Sequence, residues 1–177
     1  PIQLNTQRLK KKYYENKEDF ARVFDESINI ISQEVEGMKE LLNEFLRFSR
    51  MPTPNPRPTS LHKIINDILI SYLEHEKILN IKKSFDPNLG FVHLDPEQIR
   101  RVFINLFENA IDAFDKRGLI QINTRIMQTE KLVRVEFSDD GSGIIPDDRD
   151  KLFLPHFSTK KRGTGLGLAI VNRIIID

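Results

Sequence analysis

Apolar residues recur along this chain at distinct spacings, each of which predicts an element. Phe24, Ile28, Ile31, Val35, Met38, Leu42 and Phe45 follow one another at alternating steps of 4 and 3. That is a heptad seam, and it predicts one helix from about Asp19 to Met51 built to pack on other helices. Ahead of it, "IQLNTQRLKKKYY" offers Ile2, Leu4 and Leu9 at helical spacing, and the polar turn "ENKED" joins the two stretches into a helical hairpin. The arms are unequal. At about 1.5 Å per residue the second is near 48 Å long and the first about half that, so the natural protein is expected to continue upstream of Pro1.

"MPTPNPRPTS" places prolines at 52, 54, 56 and 58, which remove backbone donors and favour an extended linker between domains. Beyond it, Leu61, Ile64, Ile65, Ile68 and Leu73 line one side of a helix for which Ser60 is the N-cap candidate. "NIKKSFD" and "GFVHLD" read as short strands. Asp95 and Pro96 then start a helix that should bury Ile99, Val102, Phe103, Leu106, Ile111 and Phe114. Alternation on either side of "QTEK" predicts an antiparallel β-hairpin, and a polar loop leads to a last helix ending at Asp177. The expected class is α+β, with a helical hairpin over 1–51, a proline-rich linker over 52–59 and, over 60–177, a helix layer on a mixed sheet.

Charge narrows the partners. Lys and Arg number 27 against 26 Asp and Glu, a formal net charge of +1, so no global field recruits nucleic acid or an anionic membrane and any anion site must be local. The absence of cysteine excludes disulfides and thiolate metal sites. No apolar run approaches the roughly 18 residues of a membrane span, and the N-terminus opens no signal peptide.

Three stretches could carry chemistry. In "NLFEN", Asn105 and Asn109 stand one helical turn apart with Asp112 close by. A side-chain carbonyl there can ligate Mg²⁺, although a lone asparagine pair equally serves capping or solvation. "DDGSG" leaves a strand: Asp139 can accept from an exocyclic amine while Gly141 and Gly143 let the backbone approach a flat ring, and a simple turn is the plain alternative. "STKKRGTGLGLAIV" sets Lys160, Lys161 and Arg162 before Gly163, Gly165 and Gly167 at the mouth of a helix, a phosphate-binding arrangement. It fits neither G-x-x-x-x-G-K-[ST] nor the dinucleotide fingerprint, since Leu168 stands where a third glycine is needed. "LFLPHFSTK" before it has the composition of a hinged lid anchored by Phe153 and Phe157, or of an ordinary loop with core aromatics.

In their order and spacing these stretches resemble the N, G1, F and G2 boxes of the histidine kinase ATP-binding domain, a Bergerat-type fold of the GHKL superfamily that includes DNA gyrase, Hsp90 and MutL. A helical hairpin ahead of such a domain is similar to the dimerisation and phosphoacceptor domain of sensor histidine kinases. "PIQLNTQRL", "EFLRFSRMPTPNPRP", "LDPEQIRRVFINLFENAIDA" and "PHFSTKKRGTGLGLAIV" look most like nitrogen-regulation kinases of the NtrY and NtrB type. The resemblance implies two cofactors, ATP and Mg²⁺. Asn109 would ligate the metal and Asn105 would support it. Asp139 would bind the adenine amine, with Gly141 and Gly143 lining the base. Lys160 would reach the distal phosphates, and Gly163, Thr164, Gly165, Leu166 and Gly167 would form the lid and phosphate cradle. Glu108 is a candidate of open role. The partners implied are a second copy through the hairpin and a response-regulator receiver domain, and this portion would face the cytoplasm from a membrane-anchored sensor.

Some positions depart from the family pattern. Leu154 stands where an acidic residue precedes the lid proline, and Asp140 where an asparagine follows the adenine aspartate. The family's accepting histidine lies upstream of the proline that resembles Pro1, so the chain is expected to begin just after it and to stop before the family's final strands. His62, His75, His93 and His156 do not replace that acceptor, which implies no self-phosphorylation by this stretch alone. Two rival functions stay open: another GHKL ATPase or protein kinase, and a non-catalytic signalling scaffold.

Overall fold

The structure, a computed structural model, describes residues 1–15, 19–49, 51–72, 79–160 and 163–176. It divides into two compact units, Pro1–Met51 and Pro52–Asp177.

The first unit is two helices, α1 (Ile2–Glu15) and α2 (Phe20–Ser49). They meet through Asn5, Val23 and Ser27, all buried, and Arg8 pairs with Glu26 at 3.2 Å. Val23 and Ser27 are one turn apart, and each lies one position from a seam residue. The helix contact therefore runs beside the heptad seam rather than along it. Phe24, Ile28, Val35, Met38 and Leu42 remain exposed, and Ile31 is half-buried. Part of the expected turn and the Phe45 side chain lie outside the described residues.

The second unit has helices over a mixed sheet, as expected. Strand β1 (Arg57–Ser60) pairs antiparallel with β3 (Phe91–Leu94), Arg57 opposite Leu94 and Ser60 opposite Phe91. The end of the stretch expected to be a linker is thus a strand. Pro58 is tolerated because a two-stranded ladder leaves one side of each strand without partners. The earlier prolines are also tied down: the Asn55 N–H donates to Asp95 Oδ2 at 2.9 Å, and Gln98 Nε2 donates to the Pro52 carbonyl at 3.1 Å. The other sheet has the order β2 (Leu79–Ser84), β4 (Gly118–Met127), β5 (Leu132–Asp139). Strand β2 runs parallel to β4, with Leu79 opposite Gly118, and β5 runs antiparallel, with Met127 opposite Leu132 across the expected turn.

Two capped helices cover this sheet. Ser60 accepts from the Lys63 N–H to start α3 (Leu61–Ser71), and Asp95 accepts from Glu97 and Gln98 to start α4 (Pro96–Ala113) with Pro96 in its first turn. Leu61, Ile64, Ile65, Ile68 and Leu69 of α3 join Phe103, Phe107 and Ala110 of α4 over Ile120 and Ile122 of β4 in one core. Leu69 is buried on this face as well, and the expected Leu73 lies outside the described residues. On α4 the inward line passes through Phe107, fully buried, whereas Leu106 and Ile111 are half-buried. The Phe107 ring stacks on Tyr72 at 5.2 Å and meets Phe137 edge-on at 5.2 Å, offset and T-shaped contacts that aromatic quadrupoles favour. Helix α5 (Gly167–Ile176) packs on α4. It brings the glycine-rich mouth to the asparagines.

Candidate functional site

Helix α4 organises the site, because all three chemistry-bearing stretches attach to its second half. Asn105 is held by its own helix: Nδ2 donates to the Arg101 carbonyl at 2.8 Å, which leaves Oδ1 directed at α5. A Cβ on Gly167 would come within 2.7 Å of that oxygen and 3.8 Å of Asn109 Nδ2. Glycine at this position therefore allows close approach between the N-terminus of α5 and both amides. The backbone N–H groups of that terminus carry partial positive charge.

The turn after β5 is stitched onto the end of α4. Asp139 Oδ1 accepts from the Gly141 N–H at 3.0 Å, and the Ser142 N–H donates to the Ala113 carbonyl at 3.1 Å. A Cβ on Gly141 would sit 2.6 Å from the Ala113 Cβ, so glycine is needed there for contact. Gly143 is needed for conformation, with φ of +72° and open space around its Cα. Asp140 has a structural task. It exchanges two bonds with Leu119, its N–H donating to the Leu119 carbonyl at 3.2 Å and its Oδ1 accepting the Leu119 N–H at 2.6 Å. Only a side-chain carbonyl-type oxygen is required, which aspartate and asparagine both offer, so this departure from the family pattern leaves the turn intact.

The loop between β5 and α5 passes through a 3-10 segment, Pro146–Lys151. Phe157 is half-buried under the Lys151 ammonium, which lies 5.8 Å from its ring centroid, whereas Phe153 and Leu154 are exposed. One aromatic, not two, anchors this segment. It crosses the glycine loop at His156, whose φ is +66° and whose N–H donates to the Gly165 carbonyl at 3.0 Å. Gly165 is itself at φ +70° with the Phe157 backbone 2.7 Å from where a Cβ would stand, so two chain segments pass in contact there. Thr164 Oγ1 accepts from the Leu166 N–H at 3.4 Å. Leu166 is fully buried. Its side chain is core, and of the expected cradle it can contribute only backbone. Gly163 lies beside Ser158 Oγ.

Lys160 closes the mouth. Its Nζ donates to Asn109 Oδ1 at 3.0 Å and to Asp112 Oδ2 at 2.8 Å. The structure thus gathers Asn105, Asn109, Lys160 and Gly167 at one end and Asp139 and Gly141 at the neighbouring turn, while Gly143 and Gly163 shape the loops. Glu108 is exposed next to Asn109. The Tyr72 phenol is pushed above its ordinary pKa mainly by burial, with the Glu108 charge adding to it. The roles of Asp112 and Asp140 were not legible beforehand. The signal for Asp112 was an acidic residue in the last turn of a helix, where the macrodipole disfavours it.

Among the described residues no group of three or more His, Asp or Glu side chains could hold a metal. The site nevertheless fits Mg²⁺, which keeps waters and takes one or two protein oxygens together with substrate phosphates: Asn109 Oδ1 already accepts from one cation, the Lys160 ammonium. Of the histidines, His93 lies in β3 and His156 in the loop, and His75 is outside the described residues. His62 belongs to a polar cluster several residues further along β4. Its Nε2 is 2.9 Å from buried Thr124 Oγ1, and its ring stacks on Phe85 at 4.3 Å. Thr124 Oγ1 also accepts the Asp86 N–H. Burial lowers the His62 pKa, against the opposing pull of Asp86.

The chain belongs to the histidine kinase-, DNA gyrase B-, and HSP90-like ATPase family, whose model matches residues 94–177. Within that family it is similar to sensor histidine kinases. The NtrY-like sensor histidine kinase of Rickettsia bellii is 31% identical over 179 residues, covering 99% of this chain and 28% of the relative. The catalytic domain of histidine kinase ThkA is 32% identical with a TM-score of 0.62, over 68% of this chain and 80% of that one. ThkA solved in complex with the response regulator protein TrrA is 26% identical with a TM-score of 0.68, over 98% of this chain and 50% of that one. The chain spans about a third of the length of the curated relatives it matches.

Proposed function

We propose that this chain is the catalytic portion of a sensor histidine kinase, which binds ATP with Mg²⁺ and passes the γ-phosphoryl group to a histidine imidazole and then to an aspartate of a response regulator. The observation that carries the reading is the convergence on α4 of two amides, a lysine and a glycine-fitted helix N-terminus. In this reading Asp139 accepts from the adenine amine through the oxygen that Gly141 leaves available, and Gly141 and Gly143 border the ring. The N-terminus of α5 and Lys160 receive the phosphates. Asn109 holds Mg²⁺ with Asn105 behind it, and the ion when bound neutralises phosphate charge. These groups position and neutralise, and no covalent step on the catalytic unit is called for.

The hairpin supports a dimeric partner. Its exposed stripe of Phe24, Ile28, Val35, Met38 and Leu42 is the surface that helices of a second copy would cover in a four-helix bundle. A receiver domain is proposed as the other partner, by similarity to the ThkA complex. None of the four histidines lies in the hairpin unit, so the phosphoacceptor is sought in a supplied chain.

The test is phosphoryl transfer. Incubated with γ-labelled ATP, Mg²⁺ and a relative's hairpin that carries its histidine, the protein should yield acid-labile, base-stable label on that hairpin, and Asn109→Ala should abolish it. Nucleotide binding without any transfer to cognate-like hairpins would favour the scaffold.

A further inference from the structure

We propose that Lys160 and Asp112 form a latch that keeps an ammonium in the metal position of the nucleotide-free site, so that binding of Mg-nucleotide is an exchange of one cation for another. The proposal rests on the nucleotide reading above and concerns Asp112, which that reading leaves without a task.

Three observations carry it. Asn109 Oδ1, the oxygen assigned to the metal, accepts from Lys160 Nζ at 3.0 Å, and Asp112 Oδ2 completes the grip at 2.8 Å. Asp112 sits in the last turn of α4, a helix with no basic residue in that turn. A carboxylate there faces the negative end of the macrodipole, and an added cation offsets that opposition. The Lys160 backbone is also set for the reach, since its N–H donates to Ser158 Oγ at 3.1 Å and so fixes the start of the stem.

While the latch is closed, Asn109 Oδ1 is engaged by the lysine. When a triphosphate enters with its metal, Lys160 leaves both oxygens, Asn109 becomes available, and the ammonium keeps an anionic partner by turning to a phosphate oxygen. Asp112 then acts as a positioning residue: it stores Lys160 beside the mouth, and it makes the free state resist loading. Both partners are partly exposed, with side chains 38% and 58% accessible, so solvent screens the pair and its worth is that of a surface ion pair, roughly a two- to fivefold effect on affinity.

The experiment is a double-mutant cycle on the whole chain, read by calorimetric binding of AMP-PNP with and without Mg²⁺. Asp112→Ala, at an exposed helical position, should tighten Mg-AMP-PNP binding by about two- to fivefold. In a Lys160→Met background the same substitution should change nothing. An equal gain in both backgrounds would mean that Asp112 merely repels phosphate, and a loss in either would mean that it binds the metal or nucleotide directly. Each of these results overturns the latch while leaving the nucleotide reading standing. If the parent chain binds no AMP-PNP at all, the nucleotide reading fails and the latch fails with it.

Discussion

Single residues decide what this site can hold, and their tasks divide between contact and conformation. Gly167 and Gly141 are glycines because a Cβ would collide with Asn105 and Ala113, whereas Gly143 is one because its backbone is left-handed. The sequence alone displays glycines in two short runs, Gly141 with Gly143 and Gly163 with Gly165 and Gly167, and cannot tell these reasons apart. His62 offers a test at the same scale. Its folded pKa is lowered, first by burial, so the unfolded chain binds a proton more readily. The stability that neutral His62 contributes is fully present above the unfolded value of about 6.5, and it is lost as the pH falls from there through the lowered folded value. The groups that face it are Thr124, the Phe85 ring and the Asp86 charge. Urea unfolding of the parent and His62→Gln at pH 7.5 and pH 5.5 should show a larger loss for the parent on acidification. An equal loss in both would exclude His62 as the source.

At the scale of elements, periodicity and caps are legible in the sequence where local chemistry is decisive. Ser60 and Asp95 cap the helices they were expected to cap, and the turn around "QTEK" joins β4 to β5. The readings that differed depended on tertiary partners. Strand β1 was obscured by its prolines, which a ladder of only two strands tolerates. The inward face of α4 runs through Phe107 rather than Leu106, because Tyr72 and Phe137 supply a ring socket that no spacing reveals. Asp95 illustrates how one side chain serves two levels. Burial alone would raise its pKa, but the N–H groups of Asn55, Gln98 and Glu97 outweigh burial and hold the carboxyl below its usual value. Asp95→Ala should therefore lose the helix cap and the tie to the proline run together, about 2 to 3 kcal/mol of stability. Ser60→Ala, which removes a single 3.3 Å bond, should lose only about 1 kcal/mol. Urea unfolding of the two variants, compared side by side, checks the ranking, and equal losses would mean that the Asn55 tie contributes nothing.

For the whole molecule, the order of the boxes along the chain carried more than any one of them. An asparagine pair, a strand-end "DDGSG" and a glycine-rich helix mouth are separately ordinary; their attachment to one helix is what a nucleotide site requires. That attachment runs along α4, from Ala113 at the "DDGSG" turn to Asn105 at the glycine-rich mouth of α5. The hairpin shows the opposite balance. Its seam was plain in the sequence, but the structure leaves most of it open beside the α1 contact, since a seam records where partners pack without saying whether the partner is the same chain.

The most direct measurement of the central claim is calorimetric binding of AMP-PNP to this chain with and without Mg²⁺, beside Asp139→Asn and Asn109→Ala. Asp139→Asn keeps one oxygen for the Gly141 N–H and replaces the other, with its charge, by an NH₂ that cannot accept from the adenine amine, so the turn should survive. The account predicts that the parent binds, that Asp139→Asn lowers affinity by at least tenfold (about 1.4 kcal/mol) in a folded protein, and that Asn109→Ala removes the benefit of Mg²⁺. A folded parent that ignores the nucleotide, or binding indifferent to both substitutions, would contradict it.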